Sequence, residues 1–133
     1  MISRRLISVA VLTSLLALGF LVAQTAFAAE EQAVIATIKL RSGEMGTAEE
    51  RDRIYALENQ LSAAIKNSSS GEFDGDEYGG GVCTIYMYGP SADRLLSVTL
   101  PILKGFHAPL GSFVIKRYGK PGAKQDRIPL GSP

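Results

Sequence analysis

The 133-residue sequence predicts an α+β domain in the order strand, helix, strand, strand, helix, strand. Three observations carry that reading. Residues 34–41 and 82–88 alternate apolar and polar side chains with a period of two, as half-buried strands do. Two further stretches repeat apolar residues at intervals of three and four, the period of a helix with one buried face. Between them Gly79, Gly80 and Gly81 separate the acidic run Glu72–Tyr78 from Val82–Tyr88, which supplies the permissive backbone of a tight hairpin.

The chain opens with a segment that does not belong to this domain. Arg4 and Arg5 precede an apolar run from Leu6 to Ala23, and Ala26-Phe27-Ala28 has the small-x-small form of a signal-peptidase site. A signal peptide over residues 1–28, cut after Ala28, is expected, which leaves 105 residues. An uncleaved anchor is the competing reading, because the run approaches the length of a membrane span. Either reading takes the domain across a membrane, to the periplasm or beyond, and the leader, if retained, is the expected membrane contact.

Residues 29–118 then form the predicted domain. Val34, Ala36, Ile38 and Leu40 make the apolar face of its first strand. Thr47-Ala48-Glu49-Glu50 has the form of a capping box, in which the Thr hydroxyl and the Glu carboxylate each accept from the other residue's backbone N–H. Ile54, Leu57, Leu61 and Ile65 continue it as a helical stripe that ends in Asn67-Ser68-Ser69-Ser70-Gly71. Cys83, Ile85 and Met87 face one way from the clearest strand, and Thr84, Tyr86 and Tyr88 the other. Ser91 offers an N-cap to a second helix striped by Leu95, Val98, Ile102 and Phe106, with Leu96 and Leu103 widening it. Pro101 falls inside it and predicts a kink or an early end. Ser112–Tyr118 reads as the last strand, with Phe113 and Ile115 on its inner face. Residues 119–133 read as a Gly/Pro-rich basic tail on which Ile128 and Leu130 could dock.

This order is that of the ferredoxin-like split βαβ arrangement. It implies a four-stranded antiparallel sheet in the order fourth, first, third, second, with both helices on one face. Pairing Tyr78 with Val82 would put Glu72, Asp74 and Asp76 on the open face beside Tyr86 and Tyr88. Thr37, Lys39 and Arg41 from the first strand, and Val114, Lys116 and Tyr118 from the fourth, would share it. A slip of one residue would move the acids to the other side. The stretch "GEFDGDEYGGG" with the following "IYMYGPSAD" resembles small exported bacterial domains of ferredoxin-like build. The resemblance spans Gly71–Asp93. It implies a role such as that of a toxin-neutralising, immunity-type partner, and it carries over no site residue.

Several chemistries are disfavoured. The whole chain has a formal charge of +1, and loss of Arg4 and Arg5 with the leader makes the mature domain −1, which is no footprint for nucleic acid. Tyrosines on the third strand resemble the stacking platform of an RNA-recognition motif, but the basic-glycine opening of that signature is missing. Asp74, Asp76 and Gly79 match three positions of a calcium loop, but Tyr78 and Ile85 stand where two ligands belong. His107 is the only histidine and has no flanking motif. Cys83, the only cysteine, lies on an apolar strand face, which favours a buried inert thiol. No catalytic residue, metal or cofactor is assigned. The expected function is non-catalytic binding through the open sheet face, to a protein partner or to a second copy. Its expected contact residues are Tyr86 and Tyr88, flanked by Lys39, Arg41 and Lys116 and by Asp74 and Asp76. The alternative is a small periplasmic enzyme or metal-binding domain using Asp74, Asp76 and Glu77 with His107.

Overall fold

The computed structural model describes residues 30–131. The signal peptide expected over residues 1–28 lies outside the described residues. The chain folds as α+β, with two helices and an antiparallel sheet of five strands. The elements are β1 (Gln32–Lys39), α1 (Ala48–Ser68), β2 (Glu72–Gly79), β3 (Val82–Gly89), α2 (Ala92–Gly105), β4 (Phe113–Arg117) and β5 (Gln125–Pro129). Their order in the sheet is β2-β3-β1-β4-β5. Among the described residues no helix is long and apolar enough to cross a membrane.

The fifth strand corrects the expectation of four strands and a loose tail. Residues 125–129 pair antiparallel with β4, Ile128 opposite Val114 and Asp126 opposite Lys116. Ile128 packs against the core and Leu130 is buried in it. The sequence hides this strand because Ile128 is its one apolar residue on the inner side. Pro129 is tolerated because β5 is an edge strand.

Both helices pack on one side of the sheet. Ile54, Leu57, Leu61 and Ile65 of α1 and Leu95, Leu96 and Leu103 of α2 join Val34, Ala36, Ile38, Cys83, Ile85, Met87 and Val114 in one buried core. The α1 N-terminus is fixed by the predicted capping box: Glu50 N–H donates to Thr47 Oγ1 and Thr47 N–H donates to Glu50 Oε2, each at 3.1 Å. Glu50 Oε1 accepts from the Arg41 N–H at 2.6 Å, tying the exit of β1 to the helix start. Those backbone donors hold the Glu50 carboxyl below its ordinary range. Ser91 caps α2 by accepting from the Arg94 N–H at 3.2 Å. The helix runs through Pro101 to Gly105 rather than ending at it. Pro101 is exposed, and the carbonyl it leaves without a donor belongs to Ser97, also exposed, where water can serve. The buried stripe of α2 is Ala92, Leu95, Leu96, Thr99 and Leu103, with Ile102 and Phe106 at its margin.

The hairpin register differs from the expected one. The β2–β3 loop is Gly80-Gly81, both at positive φ (62° and 79°), so Gly79 pairs with Val82 and Tyr78 with Cys83. A two-residue loop in this conformation suits the twist of paired strands. Further along, a bulge between Phe73 and Gly75 inserts one residue and returns Glu72 to Tyr88, the expected partner. The bulge therefore separates two halves of β2 whose side chains alternate out of phase.

Candidate functional site

The open side of the sheet is built of cross-strand rows. One row is Glu72, Tyr88, Ala33, Arg117 and Gln125, from β2 to β5. The next is Gly75, Tyr86, Ile35, Ile115 and Arg127. The third is Glu77, Thr84, Thr37, Phe113 and Pro129. Neighbours in such rows stand close enough to pack laterally, and Tyr86, Tyr88, Ile35, Phe113 and Ile115 are each half-buried. The Arg127 guanidinium lies 3.4 Å from the centre of the Phe113 ring. At the acidic edge, burial and then the Glu77 carboxylate hold the Tyr86 phenol above its ordinary range. The face thus runs from carboxylates on β2, through aromatic and aliphatic side chains, to arginines on β4 and β5.

The expected contact residues divide between the two sides. Tyr86 and Tyr88 stand on the open face, as does Lys39, opposite Val82. Lys116 does not. It pairs with Val34 in register, on the helix side, and its Nζ donates to Asp93 Oδ1 of α2 at 2.8 Å and lies 3.6 Å from Asp126. The hydrogen bond to Asp93 holds the Lys116 ammonium above its usual range and the Asp93 carboxyl below its own. Tyr118 Oη also donates to Asp93, at 3.1 Å. The inner residue of β4 is Val114, while Phe113 and Ile115 face out, the reverse of the expected assignment. Apolar residues on both sides of this short strand left its phase open, and β5 supplies the reason for the outcome: Arg127 beside it covers Phe113.

Arg41 lies beyond the end of β1 and lines a small pocket on the helix side with Glu50, Arg53, Phe106 and His107. Asp74 is exposed in the β2 bulge, with no cross-strand partner in the register. Asp76 pairs with Ile85 and so belongs to the helix side, while its neighbour Glu77 points to the open face. Successive strand residues face opposite ways. Asp76 and Glu77 therefore cannot act as one acidic strip, and His107, in the α2 exit at φ 56°, lines a pocket that contains none of the three acids. The calcium-loop reading fails for a related reason: Glu72–Gly79 is an extended strand paired with β3 on both sides of the bulge, not a loop that wraps a cation.

The register brings Asp76 to a second group. Glu58 of α1, Asp76 of β2 and Cys83 of β3 hold one donor atom each within 4.8 Å of one another. Cys83 is fully buried and Glu58 is only 9 % exposed, while Asp76 is open to solvent. The Cys83 thiol donates to Asp76 Oδ2 at 3.7 Å. Glu58 Oε1 is buried and finds no hydrogen-bond partner among the described residues. Burial first, and then the Asp76 carboxylate, push the Glu58 carboxyl up to about 7. Burial pushes the Cys83 thiol up to about 12. Tyr78, opposite Cys83, is raised above its ordinary range, again chiefly by burial. The inert thiol expected of Cys83 is thus buried but not isolated. Glu58 escaped the sequence reading although a signal was present. It lies four residues after Ile54 and three before Leu61, on the margin of the apolar stripe.

No protein-family model matches the chain, and neither a curated protein nor a solved structure matches it.

Proposed function

We propose that the chain is an exported, non-catalytic binding domain of ferredoxin-like build, extended by the edge strand β5, that pairs with a second copy through its open sheet face. The observation that carries the reading is the charge gradient across an apolar face that no other layer covers among the described residues. A two-fold axis parallel to the strands lays the β2 edge of one copy over β4 of the other. Arg117 of one copy then meets Glu72 of the second, because both stand in the row of Tyr88 and Ala33. The same operation sets the tyrosines of β3 against β1, where Ile35 stands. Tyrosine and arginine suit such a centre, since they combine contact area with directed hydrogen bonds. Export rests on the leader, and a non-catalytic role rests on the separation of Asp76, Glu77 and His107.

The test is the molar mass of the mature domain by light scattering over a range of concentrations. The wild type is expected to approach a dimer, and Tyr86→Ala with Tyr88→Ala to remain a monomer with unchanged circular dichroism. A wild type that stays monomeric throughout, or a double variant that dimerises equally well, overturns the proposal.

A further inference from the structure

Glu58 Oε1 is the one polar side-chain atom found both buried and without a hydrogen-bond partner among the described residues. A buried carboxylate oxygen left in this way costs free energy unless a proton or a cation serves it. Its surroundings are not those of an ordinary core acid. A second carboxylate and a sulfur converge on the Glu58 carboxylate from two other elements, with one donor atom of each residue lying within 4.8 Å of the others. The convergence depends on the two-residue Gly80-Gly81 loop, which pairs Asp76 with Ile85 and so turns it inward beside Cys83.

We infer that Glu58, Asp76 and Cys83 form a binding site for a single transition-metal dication of the Zn(II) type. The donor set decides the class. A thiolate with two carboxylate oxygens suits zinc or a similar borderline ion, whereas calcium and magnesium take oxygen donors alone. Three protein ligands leave a fourth tetrahedral position open to water. Asp76, exposed at the rim, gives the ion its way in, and Glu58 and Cys83 form the floor. On binding, the Cys83 thiol gives its proton to solvent and the sulfur takes the metal in its place. The positive ion offsets the two carboxylates and the thiolate and supplies the missing partner of Glu58 Oε1. The site lies on the helix side of the sheet and does not depend on the open face, so its test is independent of self-association.

The experiment uses the mature domain after chelator treatment, titrated with zinc chloride by calorimetry and with cobalt chloride by absorbance. One equivalent of zinc per chain is expected, together with a near-ultraviolet thiolate-to-cobalt charge-transfer band. Cys83→Ser is expected to abolish that band, and Glu58→Gln and Asp76→Asn each to weaken zinc binding at least about tenfold. Asp76 is exposed, so Asp76→Asn keeps the test decisive if a buried substitution prevents folding. His107→Ala is expected to leave binding unchanged. Absence of zinc binding, a cobalt spectrum without the thiolate band, or binding that survives Asp76→Asn and is lost in His107→Ala overturns the inference.

Discussion

Reversing Arg117 to Glu is expected to split the dimer, and reversing Glu72 to Lys in the other chain to restore it. In the proposed two-fold arrangement Arg117 of each copy faces Glu72 of the other. Arg117→Glu alone places two carboxylates together twice in each dimer, and Glu72→Lys alone places two cations together twice. Opposed like charges at an interface cost several kcal/mol, so each single variant is expected to weaken self-association roughly a hundredfold. An equimolar mixture of the two variants regains both opposite pairs and is expected to form a heterodimer. Arg117 Nε donates to the Gly119 carbonyl at 2.8 Å, and the rest of its planar fork remains to meet a carboxylate. Sedimentation of the variants, alone and mixed, reads the outcome. Salt should weaken the wild-type dimer as well, because charges at the rim of a face are screened. Failure of the mixture to associate, with both variants folded, would exclude this arrangement of copies.

Glu58→Gln is expected to stabilise the metal-free protein, and only above the acid range. The Glu58 carboxyl has an ordinary value of 4.5 and stands at about 7 in the folded chain. The folded state therefore holds a proton that the unfolded state has released between these two values. The contribution of Glu58 to stability is greatest below 4.5, falls as pH rises through this window, and is level above it. The full shift corresponds to about 3 kcal/mol, and screening by water at the exposed Asp76 reduces the expected effect to about 2 kcal/mol. Glu58→Gln removes the charge and with it the decline. Urea unfolding of chelator-treated protein is expected to favour the variant at about pH 8 and to show little difference at about pH 4.5. Equal stability of the two proteins at both values would mean that Glu58 is solvated or otherwise paired in solution.

Much of this architecture can be read from residue patterns, and the failures have identifiable causes. The capping box at Thr47 and Glu50 is a fixed local geometry, so four residues suffice to define it. The inner faces of β1 and β3 follow from the alternation that places Val34, Ala36 and Ile38, and Cys83, Ile85 and Met87, on one side. Position along the chain does not determine the phase of a strand beside a glycine-rich loop. Gly79-Gly80-Gly81 accommodates a loop of two residues or of three, and the choice inverts every β2 side chain between the bulge and the loop. That ambiguity alone moved Asp76 from the open face to the helix side. In β4 the phase was set by a later strand, since β5 provides Arg127 to cover Phe113 and Asp126 to meet Lys116. Hydrophobic counting over five residues contains neither fact. The cluster around Glu58 joins three elements that are distant in sequence, and only the fold brings them together.

The sheet-face account is tested most directly by hydroxyl-radical footprinting of the mature domain at rising concentration. Tyr86 and Tyr88 should become protected together as dimers form. Tyr55, 65 % exposed on the outer side of α1, should label equally at every concentration and serves as the internal reference. Labelling of Tyr86 and Tyr88 that does not change with concentration, or protection confined to Tyr55, would contradict the proposed docking surface.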